Sequence, residues 1–76
     1  MKMLNVCVLL KVVPTKQEAI LEKIKRIKGV RKAFYAYGRW DIVAFLELQD
    51  YKSIRVISGE INSIDGVRST ETLPEA

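Results

Sequence analysis

The stretch Ile27-Lys28-Gly29-Val30-Arg31 returns 37 residues later as Ile64-Asp65-Gly66-Val67-Arg68. In both places an isoleucine closes a helical stripe, glycine turns the chain and valine enters a strand. The chain is therefore one unit used twice, and a duplicated unit within 76 residues leaves few folds open.

Residues Leu4–Val12 alternate with a period of two, placing Leu4, Val6, Val8, Leu10 and Val12 on one face. Met3, Cys7 and Leu9 make the other face apolar as well, as expected of a central strand covered on both sides. Pro14-Thr15-Lys16-Gln17-Glu18 predicts a helix start, with Thr15 and Glu18 forming a capping box. Ile20, Leu21, Ile24 and Ile27 supply that helix's stripe, and Gly29 stops it. Val30–Tyr37 reads as a second strand and Trp40–Gln49 as a third, its inner face built from Ile42, Ala44, Leu46 and Leu48. Asp50 is a predicted N-cap for a second helix with stripe Ile54, Ile57, Ile61 and Ile64, although Gly59 sits inside it at a cost of about 1 kcal/mol. Val67–Leu73 forms the last strand. The order βαββαβ with an internal repeat predicts a single α+β domain over residues 1–76, a ferredoxin-like sandwich. Right-handed crossovers give a four-stranded antiparallel sheet of order 4-1-3-2 with both helices on one face.

That arrangement leaves Met3, Cys7, Leu9, Val43 and Phe45 on an open face. A domain this small buries only about 60% of its unfolded surface, and 49% of its residues are apolar. The open face is thus expected to be a dimer interface. No apolar run approaches the ~20 residues of a membrane span, and the expected location is cytoplasmic. A single cysteine and no histidine exclude an internal disulfide and disfavour a zinc site; no metal and no cofactor are expected. The net charge of +4 comes largely from Lys16 to Lys28 and reads as a solvated helix face, so no direct nucleic-acid binding is expected.

The stretch Tyr35-Ala36-Tyr37-Gly38-Arg39-Trp40-Asp41 departs from plain alternation. Gly38-Arg39 reads as a two-residue hairpin hinge, with glycine supplying positive φ. Asp41 is either a turn aspartate bonding nearby amides or a carboxylate that grips an ammonium group. Thr70 and Thr72 share one face of the last strand and lie at the same end of the domain. Their strand and that of Asp41 are second neighbours, about 9 to 10 Å apart at ~4.8 Å per strand. A small ligand reaches both only in a shallow groove or between subunits. No nucleophile has a histidine base beside it and no glycine-rich phosphate loop is present, so no catalysis is expected.

Gly38, Trp40, Asp41, Gly66, Val67, Thr70 and Thr72, in that order with Gly29-Val30 before them, resemble the effector (RAM) domain of the Lrp/AsnC transcription factors. The shared pattern is a G-x-aromatic-D hairpin, an isoleucine-rich helix ending in G-V, and T-x-T; the family more often has tyrosine at the position of Trp40. The resemblance implies a stand-alone RAM protein without a helix-turn-helix domain, pairing through its sheets into dimers and assembling into octamers or decamers. It further implies a free amino acid as ligand, held by Gly38, Arg39, Trp40, Asp41, Thr70 and Thr72, and a DNA-binding Lrp/AsnC homologue as a partner. Three other readings share the topology. An ACT-like module expects a glycine after the first strand, where Val12-Val13-Pro14 stands. An RRM-type RNA-binding domain expects aromatics in a basic central-strand motif, where Phe45 has Asp41 and Glu47 for company. A dimeric ferredoxin-like barrel enzyme needs an acid or base that is not evident.

Overall fold

Branched apolar residues at every second position make β1 (Leu4–Val12) the centre of the sheet, with Val6, Val8, Leu10 and Val12 buried on one side. The computed structural model describes residues 3–75. After β1 come a 3-10 turn (Pro14–Lys16), α1 (Gln17–Lys25), β2 (Val30–Tyr35), β3 (Ile42–Leu48), α2 (Tyr51–Asn62) and β4 (Val67–Pro74). The strands pair antiparallel in the order β2-β3-β1-β4, the expected order read from the other edge. Ile42, Ala44, Leu46 and Leu48 of β3 join the β1 row, and Ile20, Leu21 and Ile24 of α1 with Ile54 and Ile61 of α2 close over it. Ile27, Ile57 and Ile64 finish the two stripes half-buried.

The repeat is structural as well as sequential. Gly29 and Gly66 turn with φ of 101° and 99°. The valine after each donates to the isoleucine two residues before it, Val30 to Ile27 and Val67 to Ile64, both at 3.1 Å. Each glycine carbonyl is then fixed by the sheet's centre, Gly29 by the Glu47 amide at 2.9 Å and Gly66 by the Val13 amide at 2.8 Å.

Three local expectations need correction. The Thr15/Glu18 capping box does not form: Pro14 initiates a 3-10 turn, closed by the Lys16 amide on the Val13 carbonyl, and Thr15 lies inside it. The helix starts at Gln17 with no side-chain cap, its first amide meeting the Pro14 carbonyl. β2 ends at Tyr35 and β3 begins at Ile42, so both strands are shorter than the alternation suggests. The connection is also longer than a two-residue hinge, since the Ala36 amide donates to the Asp41 carbonyl at 2.8 Å across the intervening loop. By contrast Asp50 caps α2 as expected, accepting the Ser53 amide at 2.8 Å, and that bond holds its carboxyl below the usual range.

The glycines give a test with opposite signs. A Cβ on Gly29 would meet Leu48 Cδ2 at 2.7 Å and one on Gly66 would meet Lys16 Cδ at 2.9 Å, both at positive φ. Alanine at either position is expected to lower stability by about 1–3 kcal/mol. Gly59, in the exposed face of α2 with nothing near its missing Cβ, is different. Gly59→Ala is expected to raise stability by about 0.5–1 kcal/mol. Denaturant unfolding of the three variants measures all of these.

Candidate functional site

The hairpin end of the sheet is organised around Asp41. Its amide donates to the Leu10 carbonyl and its carbonyl accepts from Ala36, each at 2.8 Å, extending the sheet one residue past β3. Its Oδ2 accepts the Val12 amide at 2.9 Å, at the point where β1 shifts register against β4 between Lys11 and Val12. The carboxylate thus takes the place of a strand carbonyl. The next amide, Val13, holds the Gly66 carbonyl, so two consecutive amides of one segment fasten the Gly38–Asp41 loop and the Gly66 turn. The two motifs share one end of the domain, as the connectivity requires.

Gly38 carries φ of 123° and its Cβ position is open, so the loop exposes backbone there. Lys11 Nζ donates to the Arg39 carbonyl at 2.8 Å and steadies the loop tip. A groove of about 500 Å³ runs between this loop and the start of α1, lined by Pro14, Thr15, Gln17, Glu18, Tyr35, Ala36, Tyr37, Gly38 and Asp41. Gly38 and Asp41 are thereby brought together; exposed Arg39 and half-buried Trp40 flank the groove in sequence without lining it. The contribution of Glu18 and Tyr35 was not read from the sequence. The usable signal is that Pro14 and Thr15 follow β1 at the hairpin end.

Thr70 and Thr72 lie elsewhere. They pair with Leu10 and Val8 on the helix side of β4, half-buried, and Thr72 Oγ1 sits 3.1 Å from Ser58 Oγ of α2. Within one subunit they do not reach the groove.

The open face carries the expected residues. Met3 is 38% and Phe45 43% exposed, with Cys7, Leu9 and Val43 half-buried in the same layer. Phe34 and Leu73 extend the patch on the two edge strands, a contribution the sequence reading omitted. Phe34 opposes Val43 and its ring centroid lies 6.0 Å from that of Phe45. The Arg31–Glu47 pair, 2.9 Å long, and Glu75 bonded to Asn5 rim the patch. Burial pushes the Cys7 thiol above its ordinary pKa, consistent with a packed rather than a reactive cysteine.

Comparison with known proteins agrees with this fold. The sequence model of the Lrp/AsnC ligand binding domain matches residues 5–74. The Thermus thermophilus protein TTHA0845 superposes with a TM-score of 0.91 at 29% identity, covering 97% of this chain and 94% of its own. PHS023 of Pyrococcus horikoshii gives 0.87 at 21% identity, with coverage of 97% and 90%. Escherichia coli AsnC gives 0.85 at 22% identity, with 95% of this chain matching 50% of that protein. The last two establish a shared fold. No curated protein sequence matches the chain. No helix among the described residues is long and apolar enough to cross a membrane.

The double duty of Asp41 sets an expectation for stability. Asp41→Ala leaves the Val12 amide without its acceptor and is expected to cost about 1–3 kcal/mol. Asp41→Asn keeps an acceptor oxygen of the same reach and is expected to cost less. Thermal unfolding of the pair separates the two effects.

Proposed function

The chain belongs to the Lrp/AsnC ligand-binding domain family, and from that premise we propose that it is a non-catalytic sensor of a free amino acid. The observation that carries the reading is the carboxylate of Asp41. One of its oxygens is locked on the Val12 amide, which fixes the group in the wall of a groove that the open backbone of Gly38 also lines. A fixed carboxylate suits an α-ammonium, and exposed amides suit an α-carboxylate. Arg39 and Trp40 stand between Gly38 and Asp41 in the loop. Thr70 and Thr72 complete the pocket from a neighbouring subunit, because their place on the helix side of β4 is two strands away in their own.

Two copies pair through their open sheet faces, covering Met3, Cys7, Leu9, Val43 and Phe45 together with Phe34 and Leu73. Patches of this kind, apolar at the centre and charged at the rim, are the usual form of an interface. Dimers then assemble further, and the ligand works by stabilising the assembly that forms its pocket. A DNA-binding homologue is the partner such a sensor would act through.

Two measurements test this. Calorimetric titration of the best ligand from a thermal-shift screen of the twenty amino acids is expected to give about ten- to a hundredfold weaker binding to Asp41→Asn, the loss of one charge-assisted hydrogen bond. Equal affinities would remove Asp41 from the site, and no binding by any amino acid would overturn the sensor reading. Light scattering is expected to report a dimer or larger species at micromolar concentration, and Val43→Lys or Phe45→Lys is expected to reduce it to monomer. A well-folded wild-type monomer would overturn the pairing.

A further inference from the structure

The groove at the hairpin end has an unbalanced charge. Glu18 and Asp41 both line it, beside Tyr35 and Tyr37, and no lysine or arginine does. Of the cations near it in sequence, Lys11 donates to the Arg39 carbonyl at 2.8 Å and Lys16 pairs with Asp65, while the exposed Arg39 side chain stands in the same loop without lining the groove. Glu18 is free of the capping box because Thr15 lies inside that turn. Its charge is felt locally. The Tyr35 phenol is held above its ordinary pKa, first by burial and next by Glu18, then Glu22.

The opposite end of the domain has the reverse character. The groove of about 860 Å³ beneath α2 presents Lys28, Arg31 and Lys52. It also holds Glu47, paired with Arg31 at 2.9 Å, and Asp50, which accepts the Ser53 amide at 2.8 Å, so three cations stand there with two carboxylates. The acidic groove is therefore a local feature of this basic chain, not a reflection of its net charge of +4.

We propose that the hairpin-end groove selects amino acids with a cationic side chain, Glu18 taking the side-chain charge while Asp41 holds the α-ammonium and the tyrosine rings flank the aliphatic stem. This rests on the amino-acid-sensing function proposed above and adds its ligand class. A neutral amino acid brings one ammonium to two carboxylates, and an acidic one brings a second negative charge into a groove that holds two. Glu18 is exposed, so its contribution is that of a solvated ion pair with a cation–π supplement from tyrosine, a preference of about five- to tenfold.

The test compares L-lysine with L-norleucine, which has the same stem without the amine, and with L-glutamate, by calorimetry on the full chain. Lysine is expected to bind about five- to tenfold tighter than norleucine, with glutamate weakest. In Glu18→Gln, an exposed first-turn substitution whose folding circular dichroism verifies, the lysine-to-norleucine ratio is expected to fall by about two- to fivefold, the ion-pair share of the preference, leaving that of the tyrosines. Norleucine binding as tightly as lysine to the wild-type protein would overturn this inference alone, and so would an unchanged ratio in Glu18→Gln. Binding by none of the twenty amino acids would overturn the sensor function as well.

Discussion

The amide of Val12 is satisfied by a side chain and not by a strand, and the hairpin end of the domain depends on how that is done. β1 runs in register with β3 as far as Leu10 opposite Ile42, and then shifts against β4 between Lys11 and Val12. An amide at such a shift needs an acceptor, because leaving it unpaired costs about 1–3 kcal/mol. Asp41 supplies it, and its own backbone amide and carbonyl continue the sheet on either side. A residue held by three hydrogen bonds cannot wander, so the loop it closes has a defined shape. The groove beside that loop inherits the definition.

The two faces of the sheet divide the remaining work. On the helix side, every inward position of β1 and β3 from Val6 to Val12 and from Ile42 to Leu48 is aliphatic and buried, and no polar side chain is buried among the described residues. A layer of that kind sets stability and carries no specificity. On the other side, Phe34, Phe45, Met3 and Leu73 stay partly exposed in a layer that also holds Cys7, Leu9 and Val43. The duplication accounts for the symmetry of the frame: each half ends its helix at a positive-φ glycine whose carbonyl is tied to the sheet's centre. It does not account for the site, because Gly38 and Asp41 lie in the loop that joins the two halves.

Much of this was legible from residue order. Period-two alternation with both faces apolar identified the central strands, and the I-x-G-V-R repeat identified the topology, because such patterns record burial directly. Asp50 as a cap was readable for the same reason, since the helix start leaves an amide that Asp can accept. What escaped were features decided between segments. Thr15 and Glu18 satisfy the local rule for a capping box, yet Pro14 and the Val13 carbonyl close a 3-10 turn first. Trp40 and Asp41 continue the alternation of β3, yet the Asp41 side chain, its backbone still in the ladder, reaches the Val12 amide 29 residues away in sequence. Glu18 and Tyr35 join the groove only because the turn after β1 packs beside the end of β2, a proximity no local pattern encodes.

The placement of the groove relative to the open face gives the proposed sensor its means of response. Asp41 and Val43 are two residues apart, and Val43 faces Leu9 and Phe34 at the centre of the apolar patch. A ligand on Asp41 and a second copy on Val43 therefore meet the same short length of chain, stiffened by antiparallel neighbours on both sides. If the pocket is completed by Thr70 and Thr72 of another subunit, the free chain offers half a site and the assembly a whole one. At a concentration one hundred times its dissociation constant, a ligand of the whole site adds about 2.7 kcal/mol to the assembled form. A ligand satisfied by Asp41, Gly38 and Glu18 of one subunit alone would bind both forms equally. However tight its binding, it would leave the assembly where it was.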